Sequence, residues 1–203
     1  MKYYNFVEAF NAPLLNKEGD YQKSDKNDFH KYVTLYDYIV NTQYLKKQSS
    51  LSILEVGIRQ GDSIKIWENS PVFDRVVGVD IDPQEKNTVK FEFSNKVTLE
   101  QGMDAYDPEV VKYISNKHSK FDIILDDGDH MWESQMKFFQ HYFNLLNPGG
   151  VIMCEDISQI YLPQLTELAK KYTDSFYTFD LRANVDPTNC HGNDIVAIIK
   201  NSQ

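Results

Sequence analysis

Two apolar runs of strand length, Asp122–Leu125 and Val151–Cys154, each end abruptly in a pair of acids: Asp126 and Asp127 after the first, Glu155 and Asp156 after the second. His130 stands three residues beyond Asp127. Carboxylates gathered in one place, with no lysine or arginine in either immediate cluster, repel one another unless a cation sits among them. Hard oxygen donors select magnesium, calcium or manganese over zinc, and magnesium keeps positions open for water or substrate oxygens. A neutral imidazole beside such a site is suited to take a proton from a bound hydroxyl. The plain alternative is a set of exposed acids capping helix N-termini. It accounts poorly for two strand ends that both carry doubled acids, because a cap needs one.

Convergence of these residues requires a particular frame. Between the two runs, Met136, Phe139, Phe143 and Leu146 recur at helical spacing over Trp132–Leu146, and Asn147-Pro148-Gly149-Gly150 stops the helix and turns the chain. A crossover of this length makes the two strands parallel, so both acidic ends emerge at the same carboxyl edge, where open α/β sheets bind ligands.

Upstream, Leu51–Gly57 reads as a first strand, followed by a turn through Gly61 into a helix that carries Ser63, Ile66 and Trp67. Gly57 and Gly61 permit close approach of a ligand to the backbone, and the helix start offers unpaired N–H donors. Arg75–Val79 forms a second strand ending in Asp80, the place where an acid receives ribose hydroxyls in Rossmann-like folds. Pro83–Phe93 reads as a helix and Lys96–Leu99 as a third strand; beyond it Gly102, Met103 and Asp104 form either an ordinary polar loop or a grip for a nucleoside base. A helix over Asp107–Asn116 precedes the acidic unit; Leu162–Tyr172 supplies another after it, and Ser175–Leu181 with Asp194–Ile199 forms an antiparallel pair at one edge. The expected fold is therefore α/β, a seven-stranded doubly wound sheet with its last strand antiparallel. Residues 1–50 form a helical N-terminal cover over a core of residues 51–203, in one domain. Within the cover, a helix from Asn27 or Asp28 toward Leu45 carries Phe29, Val33, Tyr36, Ile39 and Val40 as its apolar stripe for packing, and the polar cluster Asp25, Lys26, His30 and Tyr32 at its start is the alternative, a group that overhangs a ligand.

Composition narrows the function. A net charge of −9 and pI near 5.0 disfavour nucleic acid and anionic membranes, which are bound by clustered Lys and Arg. The absence of a secretory or membrane-spanning apolar run points to the cytoplasm, and two cysteines, Cys154 and Cys190, make no disulfide framework. Cys154 should face away from Glu155 by strand alternation. A small-molecule or glycan acceptor remains, and a homo-oligomer is compatible with it.

The motifs LEVGIRQG (Leu54–Gly61) and VVGVDIDP (Val76–Pro83) resemble those of class I S-adenosylmethionine-dependent methyltransferases. DDGDH (Asp126–His130), NPGG (Asn147–Gly150), CEDI (Cys154–Ile157) and SDKNDFHKYVTLY (Ser24–Tyr36) resemble, more narrowly, the metal-dependent sugar O-methyltransferases of macrolide tailoring and their cephalosporin hydroxylase-like relatives. The resemblance implies that Glu55, Gly57 and Gly61 surround the aminoacyl part of S-adenosylmethionine and that Asp80 binds its ribose. Ser63 and Asp126 belong to the same expected cofactor set. Asp127, Glu155 and Asp156 would hold Mg2+, His130 would be the base, and His30 and Tyr32 would meet the acceptor. Arg59 stands where glycine is frequent in the general motif, Asp129 where serine is common, and Met103 where an acid is frequent. The implied activity is Mg-dependent O-methylation of a sugar or glycosylated metabolite or polysaccharide. Two other readings accompany it: a non-catalytic S-adenosylmethionine-binding partner or regulatory subunit, and an oxidative enzyme, which ordinarily requires a second histidine beside the acids.

Overall fold

The computed structural model describes residues 3–24, 26, 31–47, 49–86, 88–172, 175–182 and 195–201. An N-terminal cover contains α1 (Phe6–Asn11), a short antiparallel pair of β1 (Leu14–Leu15) with β2 (Tyr21–Gln22), and α2 (Val33–Lys47). The core follows as β3 (Leu51–Val56), α3 (Asp62–Asn69), β4 (Phe73–Asp80), β5 (Val97–Gln101), α4 (Pro108–Lys117), β6 (Phe121–Asp126), α5 (Trp132–Tyr142), β7 (Leu146–Cys154), α6 (Leu162–Ala169), β8 (Phe176–Asp180) and β9 (Ile195–Lys200). The sheet runs β5-β4-β3-β6-β7-β9-β8, parallel throughout except β9, which is antiparallel to both of its neighbours. This is the expected doubly wound architecture, with β3 at the point where strand order reverses.

Strand alternation divides the core between the two faces of the sheet. Leu54, Val56, Val77, Val79, Ile124, Ile152 and Cys154 pack with α4, α5 and α6. Ile53, Val76, Ile123, Leu125, Val151 and Met153 pack with the N-terminal cover and α3. Aromatic rings fasten that cover: Phe10 and Tyr36 meet Trp67 with centroids 5.0 and 5.8 Å apart. Polar ties add to them, since Asp37 Oδ1 accepts from the Phe6 N–H at 2.8 Å and Asn41 Nδ2 donates to the Tyr4 carbonyl at 2.8 Å. No helix among the described residues is long and apolar enough to cross a membrane.

Three expectations about elements are corrected. Pro83–Phe93 is not one helix; a single 3-10 turn at Gln84–Lys86 is followed by residues 88–93 in no regular element. Val89 and Phe91 face inward, while the Lys90 backbone bridges the Gln60 carbonyl and the Lys17 N–H at 2.8 Å each. Asn147–Gly150 does not separate helix from strand, because β7 already begins at Leu146 and absorbs these residues as a bulge opposite Phe121 and Ile123. The helix expected to reach Tyr172 ends at Ala169. Asn27, Asp28, Phe29 and His30, and most of the loop with Cys190, lie outside the described residues.

Candidate active site

The carboxyl ends of five parallel strands open into one cleft of about 890 Å³. Sheet order sets its layout. From one side to the other it is lined by Asp104 beyond β5, Asp80 at the end of β4, Gly57 and Ser63 after β3, Asp127 and His130 after β6, and Glu155 and Asp156 after β7. A volume of this order accommodates a nucleoside cofactor together with part of a second molecule.

The turn after β3 is built by backbone geometry. Gly57 has φ +81°, and a Cβ there would lie 2.1 Å from the Asp127 carbonyl oxygen, so glycine lets the β3 and β6 ends close together. Gly61, also left-handed, faces Val89 and Phe93 and does not line the cleft. Asp80 orders the same turn: Oδ2 accepts from the Ile58 and Arg59 N–H groups at 2.8 and 2.9 Å, and Oδ1 from Asp82 N–H at 2.8 Å. Both lone pairs of Oδ2 are thereby engaged, and Oδ1 retains a second lone pair for a ribose hydroxyl. Asp104 faces the cleft, whereas Gly102 and Met103 sit behind it, with the Met103 N–H on the Asp80 carbonyl at 3.0 Å.

Alternation continues past the strand ends and sorts the acids. Asp126 shares the α4–α6 face with Cys154, where its carboxylate accepts from the Tyr106 hydroxyl at 2.8 Å and from Cys154 Sγ at 3.4 Å. It is buried and absent from the cleft wall, so the expected cofactor contact is corrected to a core one. Burial pushes its pKa up to about 7, against the hydrogen bonds from Tyr106 and Cys154. Glu55 is also fully buried beneath the cleft rather than on its surface; it accepts from Trp67 Nε1 at 2.7 Å, and burial raises it to about 7 against the pull of a neighbouring ammonium.

That ammonium belongs to Lys26, and it changes the expected charge balance. Its Nζ lies 2.5 Å from Asp127 Oδ2, 2.9 Å from Glu155 Oε2 and 3.6 Å from Glu55 Oε1. Burial works to lower the Lys26 pKa, but the carboxylates of Asp127, Glu155 and Glu55 outweigh it and hold the group well above its ordinary range. The acidic edge therefore contains a cation supplied by the cover. Tyr32, expected at the acceptor, is instead fully buried, and its hydroxyl donates to Asp156 Oδ1 at 2.9 Å. Both residues stand in the polar cluster recognised before α2; a lysine that far from the acids in sequence gives no local sign of its pairing.

Asp156 and His130 adopt left-handed backbones, φ 54° and 58°, which Asp and His tolerate better than most residues. Gln135, unremarked in the sequence, donates from Nε2 to the Glu155 and Asp156 carbonyls at 3.1 and 3.2 Å and so fixes that turn. Its signal was a polar side chain on the buried face of α5. Donor atoms of Asp127, His130 and Asp156 all lie within 4.8 Å of one another. Oxygen-rich donors at this spacing suit a hard divalent cation, and the Lys26 ammonium already offsets part of their charge.

A family model described as a methyltransferase domain matches residues 54–157, half of the chain, from within β3 to just past the second acid pair. The chain belongs to the methyltransferase-domain family. Its sheet is the Rossmann-like one of class I S-adenosylmethionine-dependent methyltransferases. The chain is 29% identical over 124 residues to L-olivosyl-oleandolide 3-O-methyltransferase of Streptomyces antibioticus, covering 58% of this chain and 31% of that one. It is 26% identical over 149 residues to 8-demethyl-8-alpha-L-rhamnosyl tetracenomycin-C 2'-O-methyltransferase of Streptomyces olivaceus, covering 69% and 36%. This methyltransferase domain thus spans about a third of the length of these curated relatives. Among solved structures, the MycE methyltransferase of the mycinamycin pathway, in complex with Mg, SAH and mycinamycin VI, superposes with TM-score 0.62 at 19% identity, covering 88% of this chain and 51% of that one.

Proposed function

We propose that the chain transfers the methyl group of S-adenosylmethionine to a hydroxyl of a sugar or glycosylated molecule, with Mg2+ at the acidic edge. One observation carries the reading: the turn after β3 and Asp80 share a single cleft with Asp127, Asp156 and His130. A nucleoside cofactor and a reacting hydroxyl are thereby kept within one enclosure. The sugar O-methyltransferases among the relatives support the acceptor class.

The roles follow from position. Asp80 accepts from a ribose hydroxyl through Oδ1, Asp104 from an amino group of the base, and the Gly57–Ser63 turn lies along the aminoacyl part. Asp127, Glu155 and Asp156 would hold the magnesium ion, which would lower the pKa of the acceptor hydroxyl and offset charge. His130 accepts the hydroxyl proton as the oxygen attacks the methyl carbon. The carbon–sulfur bond breaks with its electron pair going to sulfur, leaving S-adenosylhomocysteine. Methyl transfer from labelled S-adenosylmethionine to a panel of nucleotide sugars and glycosides, repeated in excess EDTA, tests the reading. Transfer should stop in EDTA while calorimetric binding of S-adenosylhomocysteine persists; undiminished transfer would remove the metal from the reaction.

A further inference from the structure

A general base serves only where the chain holds it, and His130 stands on a short loop between β6 and α5 with a left-handed backbone, φ 58°. The loop leaves the sheet at Asp127, whose N–H donates to the Val56 carbonyl at 2.9 Å. Beyond that point a side chain takes over from the ladder. The Tyr106 hydroxyl donates to Asp126 Oδ1 at 2.8 Å and accepts from the Asp129 N–H at 3.4 Å, so one oxygen spans the loop from its root to the residue before His130. Gly128 makes room for it: a Cβ there would lie 1.9 Å from the Tyr106 hydroxyl oxygen, at a position where no left-handed φ calls for glycine. Asp129 passes the constraint on, its Oδ1 accepting from the Met131 N–H at 2.9 Å and its Oδ2 from the Ser134 hydroxyl at 2.7 Å. Both chain neighbours of His130 are thereby fastened. Tyr106 is itself held from two sides, by its own N–H on Asp104 Oδ1 at 2.9 Å and by the Tyr142 hydroxyl on the Ala105 carbonyl at 2.9 Å, and it is buried in the cleft wall.

We propose that Tyr106 is the positioning residue of the base: its hydroxyl staples the loop between β6 and α5 at Asp126 and Asp129 and so fixes where His130 stands in the cleft. The use of that position rests on the methyltransferase reading, whereas the staple does not. The turn after β5 then does two things, since Asp104 faces the cleft and also orders the tyrosine that braces the base loop.

Hydrogen exchange at the Met131 amide, followed by NMR on the full chain without ligand, reads the loop apart from turnover. Tyr106→Phe keeps the ring and the backbone N–H on Asp104 and removes only the hydroxyl. It should speed exchange at Met131, a bond that Tyr106 does not touch, by about tenfold, the worth of one ordinary hydrogen bond. Gly128→Ala, which drives a Cβ into the hydroxyl, should do the same in the native background and add less than about threefold once the hydroxyl is gone, because both changes act through one contact. On an acceptor found by the methyl-transfer panel, Tyr106→Phe should lower kcat by about ten- to a hundredfold while the acceptor KM and the Kd for S-adenosylhomocysteine change by less than about threefold. Unaltered Met131 exchange in Tyr106→Phe, fully additive effects of the two substitutions, or an unchanged kcat would each overturn the proposal. A Kd for S-adenosylhomocysteine weakened in step with kcat would overturn it as well, by making Tyr106 a cofactor contact. Should Tyr106→Phe not fold, native Met131 exchange in Gly128→Ala alone would overturn it. A native chain that binds no S-adenosylhomocysteine defeats the methyltransferase reading, and the exchange comparison still decides whether the staple exists.

Discussion

His130 lines the cleft with its side chain 38% exposed, and Asp156 lies behind its Nδ1. A general base in that position contributes through proton removal and not through cofactor contact. His130→Ala should therefore lower kcat by about 10²- to 10⁴-fold while leaving the Kd for S-adenosylhomocysteine unchanged; steady-state kinetics beside calorimetry checks both. At the opposite end of the sheet, Asp122 has a different task. It accepts from the Ser52 N–H at 2.8 Å, the Ser52 hydroxyl at 3.0 Å and Asn147 Nδ2 at 2.7 Å, and pairs with Lys47. Burial raises its pKa, but Lys47, the Ser52 N–H and Asn147 outweigh this and hold it below 3.8. A depressed carboxyl contributes stability that is complete above its unfolded pKa and lost as pH falls through the lower folded value. Asp122→Asn should thus cost about 1–3 kcal/mol at pH 7, and the difference should shrink on acidification below 3.8, as read by urea unfolding across that range.

At the scale of elements, what was legible in the sequence and what was not have separate physical causes. Doubled acids after apolar runs, with a helix between them, dictate parallel strands ending at one edge, and β6, α5 and β7 follow that pattern. Alternation was equally readable for Cys154, which does turn away from Glu155, and the same rule applied to Asp126 would have placed it in the core. In Val89-Lys90-Phe91-Glu92-Phe93 the period is two rather than 3.6, which argues against a helix, and the proline before it suggested a helix start that the alternation contradicts. Lys26, Tyr32 and Gln135 reach the site by tertiary contact across 101, 124 and 20 residues. No local pattern encodes such distances. The meeting of β3 with β6 offers an element-scale prediction. Gly57→Ala brings a Cβ against the Asp127 carbonyl in addition to the left-handed strain, whereas Gly149→Ala, at φ +75° with nothing within 4 Å, carries the strain alone. Denaturant unfolding should show about 1–2 kcal/mol lost at Gly149 and a clearly larger loss at Gly57.

For the whole molecule, the order of strands is the functional statement. Because β5, β4, β3, β6 and β7 lie side by side, the sites proposed for base, ribose, aminoacyl chain and metal follow one another along a single edge. The cover closes that edge from the α3 side and contributes the ammonium that makes its cluster of acids tolerable. The most direct test is a crystal structure of the chain grown with S-adenosylhomocysteine and Mn2+, with an anomalous difference map collected for manganese. The account predicts the cofactor along the Gly57–Ser63 turn with its ribose on Asp80, and an anomalous peak at the oxygens of Asp127, Glu155 and Asp156 on the side of its sulfur. A cofactor bound elsewhere, or a fully occupied cofactor with no manganese at those carboxylates, would contradict it.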